Sequence, residues 1–232
     1  MPRLPDEITA YLFDLDGVLT QTAKVHFKAW KQTFDEELQA RAGDGYQPFT
    51  QEDYNDYVDG KPRYDGVRSF MSSRGYDLSE DEVHRIGDRK NGLVLELIAA
   101  GHVEVYEGSV RFLQWAREAG KRTAVVSSSA NCKAVIEAAD IERYLEVRVD
   151  GTTIEAEHLH GKPAPDSFLA AARELGVEPA RAAVFEDALA GVEAGRAGHF
   201  GAVVGVDRVD HGHALSEHGA TIVVQDLAEL LE

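Results

Sequence analysis

Two aspartates separated by a single residue carry the clearest chemical signal in the sequence. Asp14 and Asp16 come directly after the apolar run Tyr11-Leu12-Phe13 and before Gly17, which permits a tight turn. In open α/β sheets, ligands bind beyond the carboxyl ends of the strands, so acids at such an end are informative. Neighbouring carboxylates repel each other unless a cation or a proton compensates. A strand-terminal turn with solvated carboxylates is the alternative interpretation of this motif on its own.

Three further polar segments follow later along the chain. The first, Ser127-Ser128-Ser129-Ala130-Asn131, offers hydroxyls and backbone amides at the start of a helix, which suit an anion. The second, Gly161-Lys162-Pro163-Ala164-Pro165-Asp166, holds a lysine between residues that stiffen the backbone. The third, Glu186-Asp187, supplies adjacent acids that suit a hard cation. Taken singly, a helix N-cap, a surface lysine and acids at a helix start are the alternatives.

The four segments together supply the parts that phosphoryl transfer needs. They offer a nucleophilic carboxylate, a second acid, an anion site, a lysine and metal ligands, each in a polar segment after an apolar run. Phosphoryl transfer depends mainly on positioning and on neutralising charge. The combination therefore indicates this chemistry, although each segment alone does not.

The apolar runs that precede these motifs predict how the motifs are held. The runs are continuous rather than alternating, which is typical of strands covered on both faces of a parallel sheet. Helical patterns lie between most of them, so we expect an α/β fold with a doubly wound parallel sheet and a Rossmann-like core. The runs are Tyr11–Phe13, Thr123–Val126, Ala182–Phe185, Ala202–Val204 and Thr221–Val224.

The stretch after the first strand contains no strand-like run and predicts helices instead. Apolar residues recur at helical spacing from Phe27 to Leu38. A second helix opens at Ser79–Glu82, where the two end residues have the spacing of a capping box. We therefore expect a helical cap domain at residues 22–97, inserted into an α/β core domain made of residues 1–21 and 98–232.

The composition restricts the classes of partner. Lys and Arg number 24 against 41 Asp and Glu, and the resulting formal net charge of -17 disfavours nucleic acid and anionic membranes as partners. The single cysteine, Cys132, allows no internal disulfide and fits a reducing compartment. The sequence shows no signal-peptide core and no apolar run that could span a bilayer. We expect a cytoplasmic protein that acts as a monomer.

The order and wording of the motifs resemble the haloacid dehalogenase superfamily, and more narrowly its β-phosphoglucomutase-like subgroup, over nearly the whole chain. The resemblance implies that Asp14 is the nucleophile and Asp16 the general acid/base. It also implies that Ser127 and Lys162 hold the transferring phosphoryl group, and that the cofactor is Mg²⁺. The implied magnesium ligands are Asp14, the backbone carbonyl of Asp16, Glu186 and Asp187.

The resemblance also implies roles for residues of the cap and its hinge. Lys90 lies in an apolar helical stripe and would reach down to the nucleophile rather than extend to water. His26, in the hinge segment Thr22–Trp30, would relay with the general acid/base rather than only pack. Arg63, in a loop expected at residues 42–63, would grip the distal phosphate of a sugar bisphosphate. The other implied substrate-binding residues are Thr22, Trp30, Gly60, Ser128 and Asn131.

Three positions depart from the pattern of this subgroup. Gln21 stands where an aspartate is common, and Ala130 replaces a lysine of some mutases. Gly66 occupies a cap position where a serine can touch the sugar. These differences leave the chemistry intact and bear on the choice of sugar. A histidine-rich stretch lacks the tight spacing of metal ligands and is interpreted as a solvated loop: His211, His213 and His218.

The expected reaction depends on which group accepts the phosphoryl. The leading interpretation is isomerisation of β-glucose 1-phosphate to glucose 6-phosphate through a bisphosphate, with a phospho-aspartate on the enzyme. The alternative is a sugar-phosphate phosphatase on the same scaffold, with water as the acceptor. A third interpretation is a non-catalytic module that binds phosphosugars. The intact acids and Lys162 argue against this third class.

Overall fold

A computed structural model describes residues 3–101 and 103–231 of the chain. Six parallel strands form one sheet in the order β3-β2-β1-β4-β5-β6. The strands are β1 (Ala10–Phe13), β2 (Arg122–Val126), β3 (Val147–Val149), β4 (Ala182–Glu186), β5 (Ala202–Val206) and β6 (Ile222–Val224). The predicted α/β fold with a doubly wound parallel sheet is thereby confirmed.

Ten α-helices accompany the sheet in the part of the chain that the structure describes, and none of these is long and apolar enough to cross a membrane. The helices are α1 (Thr22–Ala42), α2 (Gln51–Tyr57), α3 (Arg63–Ser73), α4 (Glu80–Ala99), α5 (Glu107–Glu118), α6 (Cys132–Ala138), α7 (Gly151–Ala156), α8 (Asp166–Leu175), α9 (Leu189–Ala197) and α10 (Gly212–His218). Short 3₁₀ turns lie at Gly43–Gly45, Glu142–Tyr144, Pro179–Arg181 and Leu227–Leu230.

Strand β1 lies in the middle of the sheet and is buried on both faces. Tyr11 and Phe13 belong to one apolar cluster, where Phe13 stacks on Phe185 with ring centroids 4.6 Å apart. Ala10 and Leu12 point into the second cluster on the opposite face. This alternation explains why the run is apolar without interruption: both faces of the strand pack against helices.

Helices α1 to α4 follow β1 and enclose a separate apolar cluster. Phe34 stacks on Trp30 at 4.8 Å between ring centroids and lies 4.4 Å from the ring of Phe70. The capping box at the start of α4 is present, since Ser79 and Glu82 bond reciprocally. Helix α4 ends at Ala99, two residues beyond the expected end of the cap. The division into a cap and a core domain stays a prediction.

The segment expected as a loop at residues 42–63 is partly helical. Helix α2 forms there because Thr50 and Asp53 make a second capping box, which satisfies the free amides at its start. Loops remain at residues 46–50, before α2, and at residues 58–62, between α2 and α3. The expectation of a single long loop was wrong. The stretch is rich in polar residues, and the capping box that starts α2 was not recognised among them.

Replacing the aromatic centre of the cap cluster should unfold this region selectively. We expect Phe34→Ala to lower the free energy of unfolding by about 3–5 kcal/mol, because Phe34 is fully buried and would leave a cavity. Urea unfolding measures the loss, and hydrogen exchange locates it in α1 to α4. The control is Leu95→Ala on α4, where the side chain is 44% exposed. An equal loss in both variants would contradict the role of the cluster.

Candidate active site

The carboxyl ends of three neighbouring strands hold the acidic and hydroxyl residues. Asp14 follows β1, Ser127 follows β2, and Glu186 is the last residue of β4. Because β1 lies between β2 and β4, these side chains come to one edge of the sheet. The backbone amide of Asp14 donates to the Phe185 carbonyl at 2.9 Å, which keeps the residue in the sheet register.

A buried lysine links two of these acids. The Lys162 Nζ atom donates to Asp14 Oδ1 at 2.5 Å and to Glu186 Oε1 at 2.6 Å. It donates a third bond to the carbonyl of Val126 at 3.2 Å. Burial alone would lower the pKa of Lys162, but the carboxylates of Asp14 and Glu186 outweigh it and raise that pKa. Lys162 therefore stays an ammonium beneath the site.

Three carboxylates converge where a cation would fit. Asp14, Glu186 and Asp187 each place one oxygen within 4.8 Å of the others, and all three residues are buried. Burial raises the pKa of Asp14 well above the ordinary range, where the Lys162 ammonium opposes the rise and the Glu186 carboxylate adds to it. Burial also raises the pKa of Asp187 well above the ordinary range, and the charges of Asp59 and Glu186 add to the rise. A divalent cation with oxygen ligands would relieve both costs. The three carboxylates of this cluster are therefore suitable ligands for the expected magnesium ion.

Asp16 lies next to this cluster but turns its side chain toward the cap. Thr22 Oγ1 donates a short hydrogen bond to Asp16 Oδ1, and His26 Nε2 lies 3.5 Å from the same oxygen. Thr22 is almost fully buried behind Asp16 and does not line the cavity. Thr22 is thus placed to hold the side chain of Asp16, and its expected contact with the substrate stays a prediction. The expected Asp16 carbonyl contact to the metal stays a prediction.

Lys90 and His26 form a buried pair on the cap side. The Lys90 Nζ atom lies 2.8 Å from His26 Nδ1 and 4.7 Å from the centre of the Trp30 ring. Burial, with a smaller contribution from the nearby Lys90 charge, lowers the pKa of His26 to about 4 against the opposing effect of Asp16. Burial also lowers the pKa of Lys90 to about 7, against the opposing pull of Asp16. A neutral His26 accepts from Lys90 at Nδ1, so its proton belongs on Nε2, facing Asp16.

Two hydrogen bonds join cap residues to core residues around the same space. Ser128 Oγ donates to the Gly60 carbonyl at 2.8 Å, and Asn131 Nδ2 donates to Asn91 Oδ1 at 2.8 Å. Arg63 is four-fifths buried and pairs with Asp88 at 3.3 Å. These contacts hold the cap over the acids of the core.

One cavity of about 520 Å³ receives most of the expected site residues. Lys162 lies beneath it and, like Thr22, is not part of its lining. The expected residues that line it are Asp14, Asp16, His26, Trp30, Gly60, Arg63, Lys90, Ser127, Ser128, Asn131, Glu186 and Asp187. A space of this size between two layers suits a small phosphorylated molecule.

The comparisons with known proteins agree with this geometry. A family model described as haloacid dehalogenase-like hydrolase matches residues 8–199. The chain belongs to this family. A β-phosphoglucomutase of Mycobacterium tuberculosis is 50% identical over 244 aligned positions, which cover 98% of this chain and 93% of the relative. The resemblance to the β-phosphoglucomutase-like subgroup is thereby confirmed.

Two further relatives show the range of activities within the family. A phosphorylated carbohydrates phosphatase of Thermotoga maritima is 28% identical, covering 93% of this chain and 94% of the relative. The crystal structure of a β-phosphoglucomutase from Clostridium difficile superposes with a TM-score of 0.80 at 26% identity, covering 96% of this chain and 93% of that one. The family thus includes transfer to a sugar and transfer to water.

The positions that depart from the subgroup pattern have distinct surroundings. Ala130 lines the cavity, whereas Gln21 donates to the Val105 carbonyl at 3.4 Å outside it. Gly66 is buried in α3, where an added Cβ atom would meet Val58 at 3.3 Å and Trp30 at 3.6 Å. Gly66 therefore allows α3 to pack closely against Trp30 and Val58, and it does not line the cavity.

The histidine-rich stretch is not the solvated loop that its composition indicated. His213 and His218 belong to α10, where they pair with Glu217 and Glu193. His211 lies at the start of that helix, with Nε2 3.1 Å from the carbonyl of Asp187. The three histidines do not form a metal-ligand group in the part of the chain that the structure describes. His211 instead supports the backbone of an expected metal ligand.

Two acidic residues of the cavity, Asp59 and Glu155, went unnoticed in the sequence. Asp59 lines the cavity from the cap, directly before Gly60. Burial raises the pKa of Asp59 to about 7, a hydrogen bond from Tyr54 opposes this, and Glu186 and Asp16 add to the rise. No strand end marks this residue. Only its place in the same short segment as Gly60 and Arg63 could have indicated it.

Removing the buried ammonium should destabilise the protein and expose its need for a cation. We expect Lys162→Met to lower the free energy of unfolding by about 3–5 kcal/mol in metal-free buffer, because the carboxylates lose their partner. Mg²⁺ should restore more stability to this variant than to the unchanged protein. Thermal unfolding with and without MgCl₂ measures both effects. The exposed Lys133→Met is the control, and identical magnesium responses would contradict the proposed cluster.

Proposed function

We propose that this chain is a magnesium-dependent β-phosphoglucomutase that converts β-glucose 1-phosphate into glucose 6-phosphate through a sugar bisphosphate. The observation that carries the proposal is the pairing of two half-sites across one cavity. Asp14 and its lysine lie on the core side, and the Lys90–His26–Asp16 contacts lie toward the cap. The identity to the mycobacterial mutase supports the same activity.

Mg²⁺ bound at Asp14, Glu186 and Asp187 would neutralise charge between the nucleophile and an incoming phosphate. Lys162 occupies one oxygen of Asp14 and thereby orients the carboxylate, which leaves the other oxygen to attack. When a sugar bisphosphate charges the enzyme, a bond forms between an Asp14 oxygen and phosphorus while the bond from that phosphorus to the sugar oxygen breaks. Asp16 gives its proton to the departing sugar oxygen.

The return step uses the same residues in the opposite direction. Asp16 removes the proton from a free hydroxyl of bound β-glucose 1-phosphate, and that oxygen takes the phosphoryl group from Asp14, which gives the bisphosphate. The bisphosphate then reverses its orientation in the cavity, and its other phosphoryl group passes to Asp14, which releases glucose 6-phosphate. His26 and Thr22 hold the Asp16 carboxyl in place through contacts to one of its oxygens. Arg63 and Lys90 would bind the phosphate that is not reacting, because both cations line the cavity.

A sugar-phosphate phosphatase is the second candidate, favoured by the phosphatase relative within the family. On this scheme water rather than a sugar hydroxyl accepts the phosphoryl group from Asp14. The cap contacts argue for the mutase, since a covered site protects the phosphoenzyme from water. A non-catalytic binding module would have no use for the buried ion pair that orients Asp14. The monomeric state and the cytoplasmic location stay predictions.

Phosphorus NMR should distinguish the two activities directly. With β-glucose 1-phosphate, Mg²⁺ and a trace of glucose 1,6-bisphosphate, we expect glucose 6-phosphate to accumulate without matching free phosphate. Asp14→Asn should abolish turnover and the acid-stable phosphoenzyme, because an amide does not attack phosphorus. The exposed Asp44→Asn is the control. Free phosphate as the main product would make the protein a phosphatase, and substantial turnover by Asp14→Asn would overturn the covalent scheme.

The activity should depend on pH through Lys90. As pH rises through about 7, the buried lysine loses its proton, and the attraction for substrate phosphate is lost with it. In Lys90→Arg the side chain keeps its charge at any working pH. We therefore expect a variant with lower activity that no longer declines as the pH rises. The measurement is kcat/KM against pH, with Lys28→Arg on the exposed face of α1 as control. If kcat/KM of Lys90→Arg still declined at high pH as in the unchanged protein, the decline would belong to the titration of another group.

A further inference from the structure

The ring of Pro62 in the cap packs closely against Gly161 in the core. A Cβ atom added at Gly161 would lie 2.2 Å from Pro62 Cγ and 2.5 Å from Cδ. The third neighbour is also in Pro62, its Cβ atom at 3.6 Å. The pyrrolidine ring therefore lies directly on the Cα atom of Gly161, where any other residue would collide with it.

The backbone at Gly161 does not itself call for a glycine. Its φ angle lies outside the left-handed region that other residues avoid. The structure therefore offers one reason for the missing side chain, which is the space taken by the ring of Pro62. Tight packing of this kind usually serves to hold two elements at a fixed distance.

The two residues are connected to opposite sides of the catalytic cavity. Pro62 directly precedes Arg63, and Gly161 directly precedes Lys162, the partner of Asp14. A second attachment lies two residues earlier in the cap segment, where the Gly60 carbonyl accepts a hydrogen bond from Ser128 at 2.8 Å. The short segment from Gly60 to Arg63 is thus held on the core at two points.

We propose that the seating of Pro62 on Gly161 is a positioning contact for phosphoryl transfer. It keeps the segment that carries Arg63 in contact with the core, so that the cavity above Asp14 is closed. In the closed cavity a sugar hydroxyl rather than water reacts with the phosphoenzyme. This role rests on the proposed mutase function. The contact itself does not, and it can be tested without any substrate.

A single methyl group added at Gly161 should disturb the packing of Pro62 on this residue. We expect Gly161→Ala to lower kcat/KM for glucose 6-phosphate formation by about 10- to 100-fold, because the overpacking cost then opposes each closure of the cap. The share of free phosphate among the products should rise, because the cap no longer closes fully. The unfolding midpoint should change little, since the backbone at this position accepts alanine and opening of the cap relieves the collision with Pro62. Gly45→Ala, with open space around its added Cβ atom, is the control.

A compensating change in the cap should restore the activity. Pro62→Ala removes the Cγ and Cδ atoms and leaves the Cβ atom at the ordinary distance of 3.6 Å from the new methyl group. We expect the double variant Gly161→Ala with Pro62→Ala to regain most of the lost kcat/KM. A fully additive loss would show that the two residues do not act on each other. An effect of Gly161→Ala that does not arise from the collision with Pro62 would not be rescued by the change at Pro62.

Cross-linking tests the contact independently of catalysis. The 3.6 Å between the two Cβ positions lies in the range for disulfides, so we expect Pro62→Cys with Gly161→Cys to form one on mild oxidation. The only native cysteine, Cys132, is buried. Non-reducing electrophoresis and mass spectrometry detect the bond, with each single cysteine variant as control. The oxidised protein should lose turnover, because substrate cannot enter, and a reductant should restore it.

The outcomes separate the proposal from the function on which it rests. Failure of the cysteine pair to cross-link would overturn the seat, whatever reaction the protein performs. Cross-linking together with an unchanged kcat/KM and product ratio in Gly161→Ala would overturn its positioning role. Absence of glucose 6-phosphate formation by the unchanged protein would instead overturn the proposed mutase, and with it the role of the seat in transfer, while leaving the cross-link as evidence for the contact.

Discussion

The ion pair between Lys162 and two buried carboxylates is the interaction on which the site depends. Asp14 and Glu186 lie almost without access to water, where neighbouring negative charges are costly. One ammonium within 2.5 and 2.6 Å of them offsets part of that cost and fixes the direction of the Asp14 carboxylate. The remaining excess of negative charge, with Asp187 added, is what makes this position favourable for a divalent cation.

This arrangement requires a parallel sheet with β1 at its centre. Because β1 pairs with β2 on one side and β4 on the other, the residues after all three strands meet at one edge. Strands β1, β4 and β5 are buried along their whole length, which holds the residues at their ends in the register of the sheet. A nucleophile on a central strand is thus held by the fold itself, and its lysine reaches it from a segment far along the chain.

The cap contributes groups whose properties depend on burial. Lys90 and His26 belong to helices that pack against each other, and each is removed from water by that packing. The lowered pKa values of both residues follow mainly from this burial. A cap that opened would return them to solvent and to their ordinary values. The chemistry of the cap residues is therefore a property of the closed molecule, in which Ser128 and Asn131 bond to the cap.

The sequence by itself determined the fold class, the family and the core chemistry. Continuous apolar runs imply a covered parallel sheet, and parallel strands bring the residues at their ends together wherever those residues lie in the chain. Asp14, Ser127, Glu186 and Asp187 could therefore be placed at one site from their positions alone. Only the tertiary structure decided that Thr22 lies behind Asp16, that Lys90 bonds to His26, that Asp59 faces the cavity and that Pro62 rests on Gly161. These are contacts between segments with no shared periodicity, and their distances depend on how helices pack, which the local pattern of residues does not encode.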